Sequence, residues 1–323
     1  MMEKIKERAL EIHKKAIVID GLNASVMDKE YFQKMLLGGV TATNYTVAMM
    51  HNLSETCKGI SNMYKLISDS DEAMLIETHD DIIKAKKEKK VGIILGFQNT
   101  APLEGDLNLL KIYHRLGVRI IQLTYHYKNL VGDGAAEKTD GGLSYFGEGL
   151  IKRMNKLGIV VDLAHVGKNT ALEAIEISED PVIASHSNAY SLVPTYQNKE
   201  DEVIKAIAEK GGVIGATLFP RLLGKEKVTI EDFLNHVDYM VNLVGVDHVG
   251  IGSDFAEGWA ENPSLCKKLL EIDGTIYVYP EGIESITKFP NITAGLLSRG
   301  YSEEEVEKII GDNFLRVFRK VWS

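Results

Sequence analysis

Eight short apolar runs, each followed by a more polar stretch, leave this 323-residue chain few ways to fold. They are AIVIDGLNA (16–24), GVTATNYTV (39–47), VGIILGFQN (91–99), RIIQLTYH (119–126), IVVDLAH (159–165), PVIASHS (181–187), GGVIGATLF (211–219) and HVGIGSDF (248–255). An apolar run of this length, bounded by turn residues, reads as a strand buried on both faces, which is the habit of parallel sheets. Residues 104–117, 146–158, 169–178, 200–211 and 229–245 carry the amphipathic period of helices between them.

Strand then helix, repeated eight times, predicts an α/β fold, a (β/α)8 TIM barrel, in preference to a doubly wound open sheet. The expectation is a single barrel domain over 1–323 with a C-terminal helical extension. Its last helix, 302–322, opens on Ser302 followed by Glu305, the pattern of a capping box.

Chemistry in such barrels sits where strands run into helices. The run ends place Leu22, Asn23 and Ala24, then Asn44 and Tyr45, then Gln98 and Asn99, then Tyr125 and His126 on that rim. His165, His186, Phe219 with Arg221, and Asp254 complete the circuit. A lone histidine at a strand end is ordinarily a hydrogen-bonded packing residue. Two on adjacent strands, with a carboxylate on the last strand, are the groups that a metal site or a proton-transfer site requires. Of the other histidines, His13, His51 and His79 are expected to be solvated, His114 and His236 lie on helices, and His248 begins a strand at the wrong end.

A net charge of −9 and a pI near 5.6 argue against a basic nucleic-acid-binding surface. No apolar run approaches the roughly 18 residues of a membrane-spanning helix. The charged, amphipathic N-terminus does not read as a secretory signal. Cys57 and Cys266 lack metal-like spacing, so free thiols and a cytoplasmic location are expected.

The segments LGVRIIQLTY, NLVGDG, GLSYFG, MNKLGIVVDLAHVG, PVIASHSNAY and DHVGIGSDF together resemble the membrane (renal) dipeptidase family, peptidase family M19. The likeness runs from AIVIDG to IIGDNFLRVF. It implies an amidohydrolase-like barrel of the metal-dependent-hydrolase type, hydrolysis of dipeptides at a two-zinc centre, and a homodimer. By the same resemblance His165 and His186 hold one zinc and Asp254 handles the proton. The family's His-x-Asp pair for the other zinc falls on Leu22 and Ala24, and its bridging Glu falls on Gln98. Its carboxylate-binding Arg falls on Gln197, and its substrate-contacting His falls on Tyr125, with His126 next.

Leucine and alanine cannot bind zinc, so at most one zinc or other divalent ion is expected, at His165 and His186, and no second metal. Gln98, Asp254 or water would complete its shell. Lys128 and Arg221 are the candidate cations for a substrate carboxylate. Asn23, Gln98, Asn99, Asn129 and Gln197, with Tyr125 and His126, predict a polar, nearly neutral pocket for a small molecule, with those five amides binding substrate. The leading expectation is a divergent dipeptidase-like hydrolase with Asp254 as general base. Tyr125 or His126 would polarise the carbonyl or protonate the leaving amine. The alternatives are a metal-free isomerase or lyase and a non-catalytic binding protein.

Overall fold

A computed structural model describes residues 2–224, 227–263, 267 and 278–322. Nine strands appear among them: β1 (Ile19–Asn23), β2 (Ala42–Ala48), β3 (Ala73–Leu75), β4 (Val91–Phe97), β5 (Val118–Gln122), β6 (Val160–Asp162), β7 (Ile183–Ala184), β8 (Val213–Ala216) and β9 (Val249–Ile251). They pair in parallel in the order β1-β2-β4-β5-β6-β7-β8-β9, with β3 alongside β4. All eight apolar runs are strands of this circuit. β3 escaped the sequence reading because three residues show no period.

The sheet closes on itself. Asn23 bridges to Phe255 in parallel, Ala24 N donates to Phe255 O at 2.8 Å, and Asp254 N donates to Leu22 O at 3.0 Å. This seam makes the sheet a barrel and removes the open-sheet alternative. The anticipated helices form at Leu109–Arg115, Tyr145–Leu157, Lys168–Ile177, Asp201–Glu209 and Ile230–Val244. Capping boxes start four of the described helices, at Asn52 and Glu55, Thr78 and Asp81, Thr229 and Asp232, and Ser302 and Glu305, each satisfying N–H groups that a helix start leaves orphaned.

The C-terminal region is more than an extension. It runs as helix Glu303–Glu307, a π turn Lys308–Asp312 and helix Asn313–Val321. Phe314 and Phe318 on its last segment join the barrel's inward residues Ile19, Ile94, Ile120, Val160, Ile183 and Val213 in one buried cluster. A Cβ at Gly21 or Gly250 would stand 2.8 Å or 2.5 Å from the Phe314 ring, so these glycines admit it. This aromatic floor fills the end of the barrel where the strands begin and leaves the opposite rim for chemistry.

His13 departs from expectation. It is 2% exposed, with Nδ1 2.7 Å from Thr293 Oγ1 and Nε2 2.8 Å from Gly38 O, because the first helix packs that face inward. His51 and His79 are half-buried. Cys57 is a free thiol, and Cys266 lies outside the described residues.

Candidate functional site

The turns after β6 and β7 carry His165 and His186 to one point of the open rim. Their Nε2 atoms face each other at 2.8 Å, and both rings are buried. The backbone turns sharply to achieve this. His126, His165 and Asp254 have φ of 61°, 57° and 54°, a left-handed conformation that costs a residue with a Cβ of order 1 to 2 kcal/mol.

Around the pair, His126 Nδ1 stands 3.2 Å from His165 Nδ1, and the Tyr125 ring lies 4.5 Å from the His165 ring and 4.3 Å from that of His126. Gln197 Nε2 is 3.2 Å from His165 Nε2, while Gln197 Oε1 accepts from Arg221 Nη2 at 3.2 Å. Arg221 comes from the short helix Pro220–Leu223 after β8. It also donates to Tyr196 OH at 2.9 Å and lies over that ring, 5.2 Å from its centroid. On the far side of His186, Ser185 Oγ is 2.7 Å from Nδ1 and donates to Asp162 Oδ2 at 2.6 Å.

Burial governs the protonation of these groups. It pushes His165 well below the ordinary imidazole range, with His126, His186, Lys199 and Arg221 adding to the effect. It lowers His186 to about 3 and His126 to about 4, helped by Lys199 in the first case and Arg221 in the second. All three rings are therefore neutral at neutral pH and keep a lone pair available. Lys199 is buried beside them, donates to Val166 O at 2.7 Å, and is drawn down to about 8 by burial.

The remaining predicted residues are placed as follows. Asp254 sits half-buried on the closing seam, where its carbonyl accepts from Tyr279 OH at 2.6 Å. Gln98 is buried at the end of β4 and its carbonyl accepts from Gln122 Nε2 at 2.8 Å. The Asn23 amide bonds Asp20, Tyr31 and the Ser25 N–H. Asn99 bonds Met50, Thr100 and Asn129, and Asn129 in turn staples the loop through Leu123 O and the N–H groups of Val131 and Gly132. Lys128, largely exposed, pairs with Asp133 at 3.0 Å. Of the two candidate cations, Arg221 bonds Gln197, which touches His165, while Lys128 pairs with Asp133.

The positions that the resemblance assigns to the other zinc carry no charged side chain. Leu22 and Ala24 have no donor atom, Gln98 is neutral, and among the described residues no three His, Cys, Asp or Glu side chains gather as a metal would need. His165 and His186 could supply two of the three protein ligands that a catalytic zinc ordinarily takes.

Asp162, Ser185 and Lys199 were missed by the sequence reading. Asp162 and Ser185 lie inside or beside apolar strands and meet only through the pairing of β6 with β7, so nothing local flags them.

A family model described as membrane dipeptidase (peptidase family M19) matches residues 6–323. The dipeptidase tcpJ of Claviceps purpurea is 36% identical over 256 residues, 78% of this chain and 56% of that protein. The chain spans a little over half the length of the curated relatives it matches. Among solved structures, an amidohydrolase from Pseudomonas aeruginosa superposes with a TM-score of 0.92 at 39% identity, covering 97% of this chain and 99% of its own. The probable dipeptidase PvdM from the same organism superposes at 0.85 with 21% identity over 99% of both chains, a likeness of fold.

Proposed function

The chain belongs to the membrane dipeptidase family, peptidase family M19, and from that premise we propose that it is a divergent hydrolase of a dipeptide or small amide bond. The observation that carries the proposal is the facing His165–His186 pair on the open rim, flanked by Tyr125, His126 and Gln197. Relatives named dipeptidase and amidohydrolase support the reaction class.

In this reading Asp254 takes the proton of the attacking water as general base. Neutral His126 donates a hydrogen bond that polarises the substrate carbonyl, and Tyr125 protonates the leaving amine. Gln98 and Gln197 hydrogen-bond the substrate, while Asn23, Asn99 and Asn129 hold the pocket walls. At most one divalent ion would sit at His165 and His186. A homodimer is the proposed assembly, checked by light scattering. No described helix is long and apolar enough to cross a membrane.

The test is turnover of dipeptides and N-acyl amino acids of both C-terminal configurations by purified protein, with its metal content measured alongside. Hydrolysis is expected, with Asp254→Asn reducing kcat by about 100-fold or more. Undiminished activity in that variant removes Asp254 from its role. Failure to hydrolyse any member of the panel after repletion with zinc, manganese or iron overturns the hydrolase reading.

A further inference from the structure

With Asp162 as the carboxylate, the hydrogen bonds behind His186 permit only one arrangement of protons. Asp162 Oδ1 accepts two backbone N–H groups, from Ala164 at 3.0 Å and Ser185 at 2.9 Å. Its Oδ2 accepts the Ser185 hydroxyl at 2.6 Å. A hydroxyl has one proton, and this one is directed at Asp162. The 2.7 Å contact between Ser185 Oγ and His186 Nδ1 therefore has the imidazole as donor. With its proton on Nδ1, the neutral ring presents a bare Nε2 to the pocket, 2.8 Å from His165 Nε2. Asp162, Ser185 and His186 are all buried, so water does not compete for these bonds.

The same device recurs at the barrel seam. Asp20 on β1 accepts Ser253 N at 2.7 Å on one oxygen and Ser253 Oγ at 2.7 Å on the other, and Ser253 immediately precedes Asp254. In both places an aspartate inside one strand grips the serine that precedes a rim residue on the neighbouring strand. Backbone and hydroxyl are held together, so the rim residue cannot swing without breaking both bonds.

We propose that Asp162 and Ser185 are positioning residues that set the tautomer of His186, keeping its Nε2 lone pair aimed into the pocket. The proposal rests on the hydrolase reading only in taking His186 as a site residue, and it is tested without turnover. Asp162→Asn is the discriminating change because it keeps the shape and reverses the chain. Its amide oxygen must face the two backbone N–H groups, which puts the NH2 against Ser185. The serine then accepts, turns its own proton toward His186 Nδ1, and the ring carries its proton on Nε2 instead.

Nitrogen NMR on full-length protein labelled with 15N-histidine reads this directly, with the His186 signals identified by their loss in His186→Gln. Wild type is expected to show a protonated Nδ1 and a bare Nε2 at His186, and Asp162→Asn the exchanged pattern. Ser185→Ala is expected to give a mixture of tautomers, Ser185→Thr the wild-type pattern, and Ser253→Ala no change at His186. An Nε2-protonated His186 in wild type overturns the proposal, as does a wild-type pattern surviving in both Asp162→Asn and Ser185→Ala. If Asp162→Asn does not fold, the Ser185 pair decides. Expected tautomers in a protein that hydrolyses nothing would remove the hydrolase reading and leave this relay standing.

Discussion

His126, His165 and Asp254 share a backbone conformation that residues with a Cβ normally avoid, and all three are among the residues that the sequence placed on the rim. The strain persists because the surrounding pairing over-determines it: Asp254 N is held by Leu22 O, and His165 O accepts from Ala135 N at 2.8 Å. Asparagine tolerates this conformation and a β-branched residue does not. His126→Val should therefore be less stable than His126→Asn by about 1 to 2 kcal/mol, read from urea midpoints. At this scale the histidines and Asp254 were legible because strand ends are visible in a single segment. The approach of Arg221 to Gln197, and the burial of Lys199, were not, since each partner lies on a different element.

The strands and helices themselves were largely readable, because periodicity is a local property. The part played by the last helix was not. Its aromatic residues look like any amphipathic face until the barrel is closed, and then Phe314 is found plugging the floor. Phe314→Ala is expected to cost about 3 to 5 kcal/mol by leaving a cavity there, measured by denaturant unfolding. The helix start is a milder case. Ser302→Ala removes the side-chain acceptor of the Glu305 N–H and should cost about 1 kcal/mol in the same measurement. Gly252 marks how tightly the elements meet, since a Cβ there would collide with the Ser185 carbonyl behind the site.

At the scale of the whole molecule, burial of neutral imidazoles sets how stability responds to acid. His13 and His236 are each pushed down to about 4 by burial. Unfolded, such groups take up a proton near pH 6.5, so the unfolded state binds more protons between roughly pH 6.5 and 4. Stability is thus full above that window and falls as pH drops through it, by about 3 kcal/mol per group. Asp20 acts in the opposite direction, because burial raises it to about 6 and the folded state takes its proton first. The net expectation is a falling urea midpoint from pH 7 to pH 4.5, with a shallower fall in His13→Gln. A midpoint that does not move would count against neutral burial of these rings.

By itself the sequence determined the eight strands, the rim positions of His165, His186 and Asp254, and the lack of a metal-binding side chain at Leu22 and Ala24. Each of these is written along one short segment, in its period or in the identity of a single residue. Only the tertiary structure decided the closing of the seam, the aromatic floor, the bond of Arg221 to Gln197 and the proton order from Asp162 through Ser185 to His186. Those depend on hydrogen bonds and contacts between residues far apart in the chain, and no local pattern encodes which of them will meet.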